Sequence, residues 1–350
     1  MKKTIPMLLV LVSLFSCERS DEPAKSVNMN FKHYALEGYD VTSVALDNLG
    51  NAWFGTYNAF RPGDVNKPEL IKFNIESNST VFYDASNSLI MESMFIWDIA
   101  VDSKNNVWIG SDGLIRFDGV EFTKFTTENS DIPEDFIHSI AMDSRDNMWF
   151  SSSRVSVGGL VMYDGTNWNV FTPDNSGLSM NGVKSIAIDD DDNVWVAQFG
   201  YVGQASLVKF TGDAWTAYTN EELGFAPGQW GNITVDSKKH VLGAIDYTFT
   251  DPVYSKSGPH IVIFDGDVNK QIRNDSFRYI DEIFVDNEDN IWCMISNAPG
   301  EPRGSTLAVF DGNNWLIDSL TFKNTRIETI VQSNDDRIWL GTANGVYINN

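Results

Sequence analysis

Residues Asp189 to Asn193 read DDDDN, the densest run of oxygen ligands in this 350-residue chain, and a calcium loop is the first chemistry such a run suggests. An EF-hand loop spreads its ligands over about twelve residues and closes on a bidentate Glu. Neither that spacing nor that Glu follows Asp189. Acid–base chemistry would draw on four His, at positions 33, 138, 240 and 260. His138 with Lys184 or Glu328 could move a proton, but no spacing demands it. Cys293 follows Trp292 in an apolar run and reads as a buried, inert thiol. No phosphate loop, nucleophile elbow or metal-ligand cluster stands out, so no catalytic residue, cofactor or metal is expected.

The acidic run has another explanation, because its surroundings recur. VALDNLGNAWFGT starts at Val44, IAVDSKNNVWIGS at Ile99, IAMDSRDNMWFSS at Ile140 and IAIDDDDNVWVAQ at Ile186. ITVDSKKHVLGAI follows at Ile233, IFVDNEDNIWCMI at Ile283 and IVQSNDDRIWLGT at Ile330. The anchor is Asp47, Asp102, Asp143, Asp189, Asp236, Asp286 and, by substitution, Ser333. Six residues later comes Trp in every copy except the fifth, where Leu242 stands. Anchors lie 41 to 55 residues apart, the size of a four-stranded propeller blade. GLIRFDG, GLVMYDG and SLVKFTG read as third strands, each followed by an outer strand with aromatics three apart, such as Phe122 and Phe125.

Between anchor and Trp lies a tight hairpin. Gly50, Asn105, Asp146, Asp192 and Asp289 stand where the turn needs positive φ, which Gly, Asn and Asp tolerate best. The polar runs are therefore turns, and the Trp is a wedge between blades. The C-terminal GVYINN completes a third strand but no fourth, whereas FKHY at Phe31–Tyr34 has the spacing of a fourth strand. The expected fold is all-β, a seven-bladed propeller over residues 31–350, with the N-terminal strand completing the last blade and closing the ring.

The first thirty residues are set apart. Lys2 and Lys3 precede the apolar run Ile5–Phe15, too short for a bilayer span and right for a signal-peptide core over residues 1–16. LFSC at Leu14–Cys17 resembles a bacterial lipobox, which implies lipidation at Cys17 and a flexible tether over residues 17–30. That implies an outer-membrane lipoprotein facing periplasm or cell surface, touching membrane only through its lipid. With Cys17 lipidated, Cys293 has no disulfide partner.

SVALDNLGNAWFGT (Ser43–Thr56) and RIWLGTANGVYI (Arg337–Ile348) resemble the two-component-regulator propeller repeat. Such propellers often form the periplasmic sensor half of a hybrid histidine kinase, so the resemblance implies a recognition role. The sequence shows neither kinase nor DNA-binding module, and blade five departs most from the pattern, with His240 and Leu242 at the Asn and Trp positions. Catalytic propellers fit less well: a sialidase needs an Arg cluster, and a virginiamycin B lyase needs paired His, a Glu and a divalent ion.

A ligand would sit at the channel mouth, on the loops entering each first strand. Five residues before the anchors stand Thr42, Trp97, His138, Lys184, Gly231, Asp281 and Glu328, all different where the sandwich positions repeat. Trp230 is expected at the entrance, with Tyr247 and Arg303 on long loops joining second to third strands. Aromatics beside oriented polar groups suit a sugar or other small polar ligand. The alternative is a scaffold for an envelope protein or, less well supported, a lyase or hydrolase. A net charge of −23 argues against nucleic acid, and a monomer is expected.

Overall fold

The computed structural model describes residues 27–57, 70–84, 95–154, 157–199, 205–223, 229–246, 260–266, 269–274, 277, 279–296 and 304–349. Twenty-eight strands form seven antiparallel sheets of four, with no helix among the described residues. The inner strands of blades one to six are Asp40–Leu46, Asp98–Val101, Ile137–Met142, Val183–Ile188, Gln229–Val235 and Tyr279–Val285. Blade seven takes Ile327–Gln332, Ile338–Thr342 and Gly345–Asn349 from the C-terminus and its outer strand, Phe31–Ala35, from the N-terminus. Phe31 pairs with Asn349 and His33 with Tyr347, so the ring closes by main-chain hydrogen bonds between the two ends. Packing begins before Phe31: Val27 and Met29 lie against the core between blades six and seven, and Asn349 Nδ2 donates to the Asn28 carbonyl at 3.0 Å. Residues 27–30, expected in the tether, thus include side chains that lie against the ring, and Cys17 lies outside the described residues.

The anchor Asp explains why each repeat folds as it does. In blade two, Asp102 Oδ1 accepts the backbone N–H groups of Lys104 and Asn106 at 3.0 and 2.8 Å. Its Oδ2 accepts Asn106 Nδ2 at 2.7 Å and the Trp108 indole N–H at 3.1 Å. One carboxylate thus shapes the turn and orients the Trp, satisfying four donors in a largely buried place. Asp47, Asp143, Asp189 and Asp286 repeat the pattern. Asp189 is therefore occupied by protein donors, which is the turn reading of the DDDDN run.

Each Trp so held is buried, and the packing clusters span neighbouring blades. Trp53 packs with Ile99, Val107 and Ile115 of the next blade, and Trp108 with Ile137, Ile140 and Phe150. The residue three after each anchor has positive φ in all seven turns, from Gly50 at 78° to Asp336 at 63°. In several turns it also clasps the preceding blade. Ser103 N donates to Asp146 Oδ1 at 3.0 Å, Ser144 N to Asp192 Oδ1 at 2.8 Å and Ser237 N to Asp289 Oδ1 at 2.9 Å.

Blade seven tests the rule, because Ser333 cannot reach as far. Its Oγ bonds within the turn, to Asp335 and the Arg337 carbonyl, and the buried Trp339 Nε1 is left without an acceptor. Truncating a full anchor strands several donors at once. Asp102→Ala is expected to lower unfolding free energy by about 2–3 kcal/mol, and Ser333→Ala by less than about 1 kcal/mol, in chemical denaturation.

Candidate functional site: the channel mouth

The inner strands carry apolar side chains six and three residues before each anchor, for example Val41 and Val44, or Ile137 and Ile140. Three residues apart, these would point to opposite faces of a regular strand. They do not, because the pairing slips between Val41 and Ser43, Ile137 and Ile140, Val183 and Ser185, Trp230 and Ile233, Ile280 and Glu282, and Ile327 and Thr329. A bulge inserts the extra residue, keeps both apolar side chains in the sandwich and turns two successive residues toward the axis.

The result is a cavity of about 330 Å³ on the axis, to which all seven blades contribute. Trp97, His138, Lys184 and Glu328 of the expected set line it together with Thr42. Gly231 has no side chain, and beside it opens a recess of about 180 Å³ lined by Lys184, Tyr279 and Asp281. Asp281 accepts a hydrogen bond from Ser296 Oγ there. Trp230 requires a correction. It stands six before its anchor, the position of Val41, Ile96 and Ile137, and is fully buried between blades four and five. Its indole N–H donates to Ser206 Oγ at 3.1 Å, and Gly243 leaves it room, since a Cβ there would lie 2.6 Å from the ring. Tyr247 and Arg303 lie outside the described residues.

Sequence reasoning took one ring position per blade and missed the next. Four residues before the anchors stand Ser43, Asp98, Ser139, Ser185, Asn232, Glu282 and Thr329, every one polar, and all line the cavity. Several tie blades together. Asp98 Oδ2 accepts the Ile140 N–H at 2.8 Å, Ser185 Oγ accepts the Ile233 N–H at 3.1 Å, and Asn232 Nδ2 donates to Glu282.

The site's ionisation follows from burial. Desolvation raises Asp98 to about 7 against two backbone hydrogen bonds that oppose it. Burial raises Glu282 to about 8, with the Asp98 and Asp281 charges adding to the shift. Burial also raises Glu328, although Arg326 beside it pulls the other way. His138 moves down, chiefly by burial and further by the Lys184 charge, against the Lys184 and Val183 backbone, which raises it. Ser151 Oγ accepts the His138 and Ser139 N–H groups and sits 3.0 Å from His138 Nδ1. That pattern assigns the ring hydrogen to Nε2, which is buried.

Beside the cavity runs a row of aromatic rings. Tyr57 stacks on Phe95 at 4.5 Å, Phe95 on Trp97 at 4.9 Å, Trp97 meets Phe136 edge-on at 5.4 Å, and Phe136 tilts against His138 at 5.2 Å. Arg154, paired with Glu134, lies 5.3 Å over Phe136. Trp97 is 40% exposed at the middle of the row. Phe95 and Phe136 precede the ring positions by two residues and fall outside the repeat frame.

The family model described as the two-component regulator propeller matches residues 91–113 and 131–154, in blades two and three, which carry Phe95, Trp97, Phe136 and His138 of this row. No curated protein sequence matches the chain. Among solved structures, one described as the extracellular domain of a hybrid two-component system from B. thetaiotaomicron superposes with a TM-score of 0.64 at 17% identity. That match covers 91% of this chain and 41% of the other, so this chain spans about two fifths of that relative. PorZ, a surface component of the type-IX secretion system of Porphyromonas gingivalis, gives 0.64 at 15% identity over 89% and 46% of the two chains. Virginiamycin B lyase from Staphylococcus aureus, solved with quinupristin, gives 0.66 at 12% identity over 91% and 99%. At these identities the likeness is one of fold.

The buried carboxyls give the protein a pH signature. A carboxyl raised in the folded state stabilises fully below its unfolded value near 4 and loses that contribution as pH rises through the folded value. For Asp98 and Glu282 the loss runs through about 7 and about 8. Glu282→Gln should raise the melting temperature near pH 8.5 and change it little near pH 5, as a thermal melt series would show.

Proposed function

We propose that this protein is a non-enzymatic recognition propeller of the bacterial envelope that binds a soluble carbohydrate at the channel mouth. The observation that carries the reading is the stacked row from Tyr57 to His138 flanking a cavity with a wholly polar inner ring. A sugar ring needs an apolar face to lie on and fixed donors and acceptors at its edge. Trp97 offers the first; Lys184 and Glu328 offer the second. The extracellular or surface setting of the hybrid two-component domain and of PorZ supports an envelope location. The signal-peptide core and the lipobox-like LFSC support an outer-membrane lipoprotein anchored at Cys17.

A second reading, an envelope scaffold, is favoured by the likeness to PorZ, a secretion-system component. Calorimetric titration of an oligosaccharide panel separates the two. Under the recognition reading at least one glycan binds, and Trp97→Ala weakens it by about 10-fold or more, the loss of one aromatic platform. Silence across the panel, with stable co-purification of an envelope protein from wild type and Trp97→Ala alike, would favour the scaffold.

A further inference from the structure

Blade five lacks the wedge that its sisters share. Where six blades seat a Trp, it has Leu242. The surrounding residues have changed with it. Tyr83, Phe125, Phe171 and Tyr218 stack on the Trp residues of blades one to four, and Ile272 takes that place in blade five. Lys72, Arg116 and Lys209 lie over their Trp rings from the paired strand, where Leu242 faces Ile263. The aromatic of the following blade is kept. Phe117, Tyr163, Phe210 and Phe264 approach the earlier Trp rings, and Phe310 is their counterpart here.

Smaller side chains around an unchanged frame leave space. A cavity of about 200 Å³ opens between blades five and six, at the anchor-turn end of the strands and away from the channel mouth. Leu242, Ile263, Ile272 and Phe310 form its apolar wall, and Asp236, Lys238, His240, Lys270 and Asp289 line its polar side. A dry cavity of about 150 Å³ with Leu, Ile and Phe walls is enough to bind benzene. The polar end is also one donor short. In the sister blades anchor Oδ2 accepts both the Asn side chain and an indole N–H, the latter at 2.8 to 3.4 Å. Asp236 Oδ2 accepts His240 Nδ1 at 2.7 Å, and Leu242 offers no second donor.

We propose that this inter-blade pocket is a binding site for a small indole-class heteroaromatic. The ring lies in the space that the Trp side chain fills elsewhere, against Leu242 and Phe310, and donates its N–H to Asp236 Oδ2. The occupant is argued from the molecule itself: six copies of the same frame hold an indole, five of them with that acceptor. The site is independent of the carbohydrate reading and shares no residue with the channel mouth.

Indole is the probe, titrated calorimetrically into the full chain. One-site binding is expected in wild type, with retention in Trp97→Ala and loss in Leu242→Trp/His240→Asn, which restores the sister arrangement and fills the pocket. Absence of binding to wild type overturns the proposal, as does loss in Trp97→Ala with the filled variant unaffected. Should the filled variant fail to fold, wild-type crystals soaked in 5-bromoindole decide. A bromine anomalous peak between Leu242 and Phe310 supports the site, and a peak only elsewhere, or none, overturns it.

Discussion

A carboxylate bonded to two backbone N–H groups, an Asn amide and an indole N–H, present in full in five of the seven blades, is the interaction on which this propeller depends. Asp102 shows it in full. The bonds matter less for their separate strengths than for what they join. The same oxygen pair fixes a turn with a positive-φ residue at one end of the hairpin and the azimuth of a buried Trp within it. That Trp reaches the next blade's core, and the next blade's turn reaches back to the Ser after the anchor, as Asp146 does to Ser103. Local turn chemistry is thereby converted into a relation between blades. Ring closure by Phe31–Ala35 leaves no blade interface to depend on a solvent-exposed strand edge.

The clasp end being constrained, the opposite end of each inner strand can vary. The bulge is the device that separates the two regimes. It keeps the apolar pair of every inner strand in the sandwich and hands two neighbouring positions to the channel. The residues there include Lys184, Asp98, Glu282 and Glu328, whose burial would be costly in a core but is tempered here by cross-blade hydrogen bonds and a shared cavity. Asp98 and Glu282 carry their protons into the neutral range because burial strips water from both, and the Asp98 and Asp281 charges add to the shift of Glu282. A binding surface of this kind is assembled from fixed backbone and free side chains.

Much of this was legible in the sequence. Asp and Trp six residues apart exposed the blade count, and Gly50, Asn105 and Asp146 announced their turn conformation by type. FKHY and GVYINN foretold the closure because each is an incomplete blade alone. What escaped did so for identifiable reasons. A period of two assigns one of two adjacent residues to the channel, so Asp98 went unread behind Trp97, and the bulge hid Glu282 behind Asp281. Trp230 drew attention as a Trp in a Gly-rich loop, although its distance from Asp236 matched Val41 and Ile137 and placed it in the core. Phe95 and Phe136 belong to no repeat position, and only the fold brings them into line with Trp97. The blade-five pocket was present in the sequence as Leu242, but its extent rests on Ile263 and Ile272, whose significance needs the sheet register.

If the anchor carboxylate carries the architecture as argued, its turn amides behave as core. Native-state hydrogen exchange of the Asn106, Asn147, Asn193 and Asn290 amides, each donated to an anchor oxygen, tests this most directly. The account predicts protection equal to that of buried strand amides such as Ile109 and Val196, with exchange only through global opening. Exchange at the pace of the exposed Thr126–Ser130 turn, while the strands stay protected, would mean that the clasps are decoration and that the Trp wedges hold the ring without them.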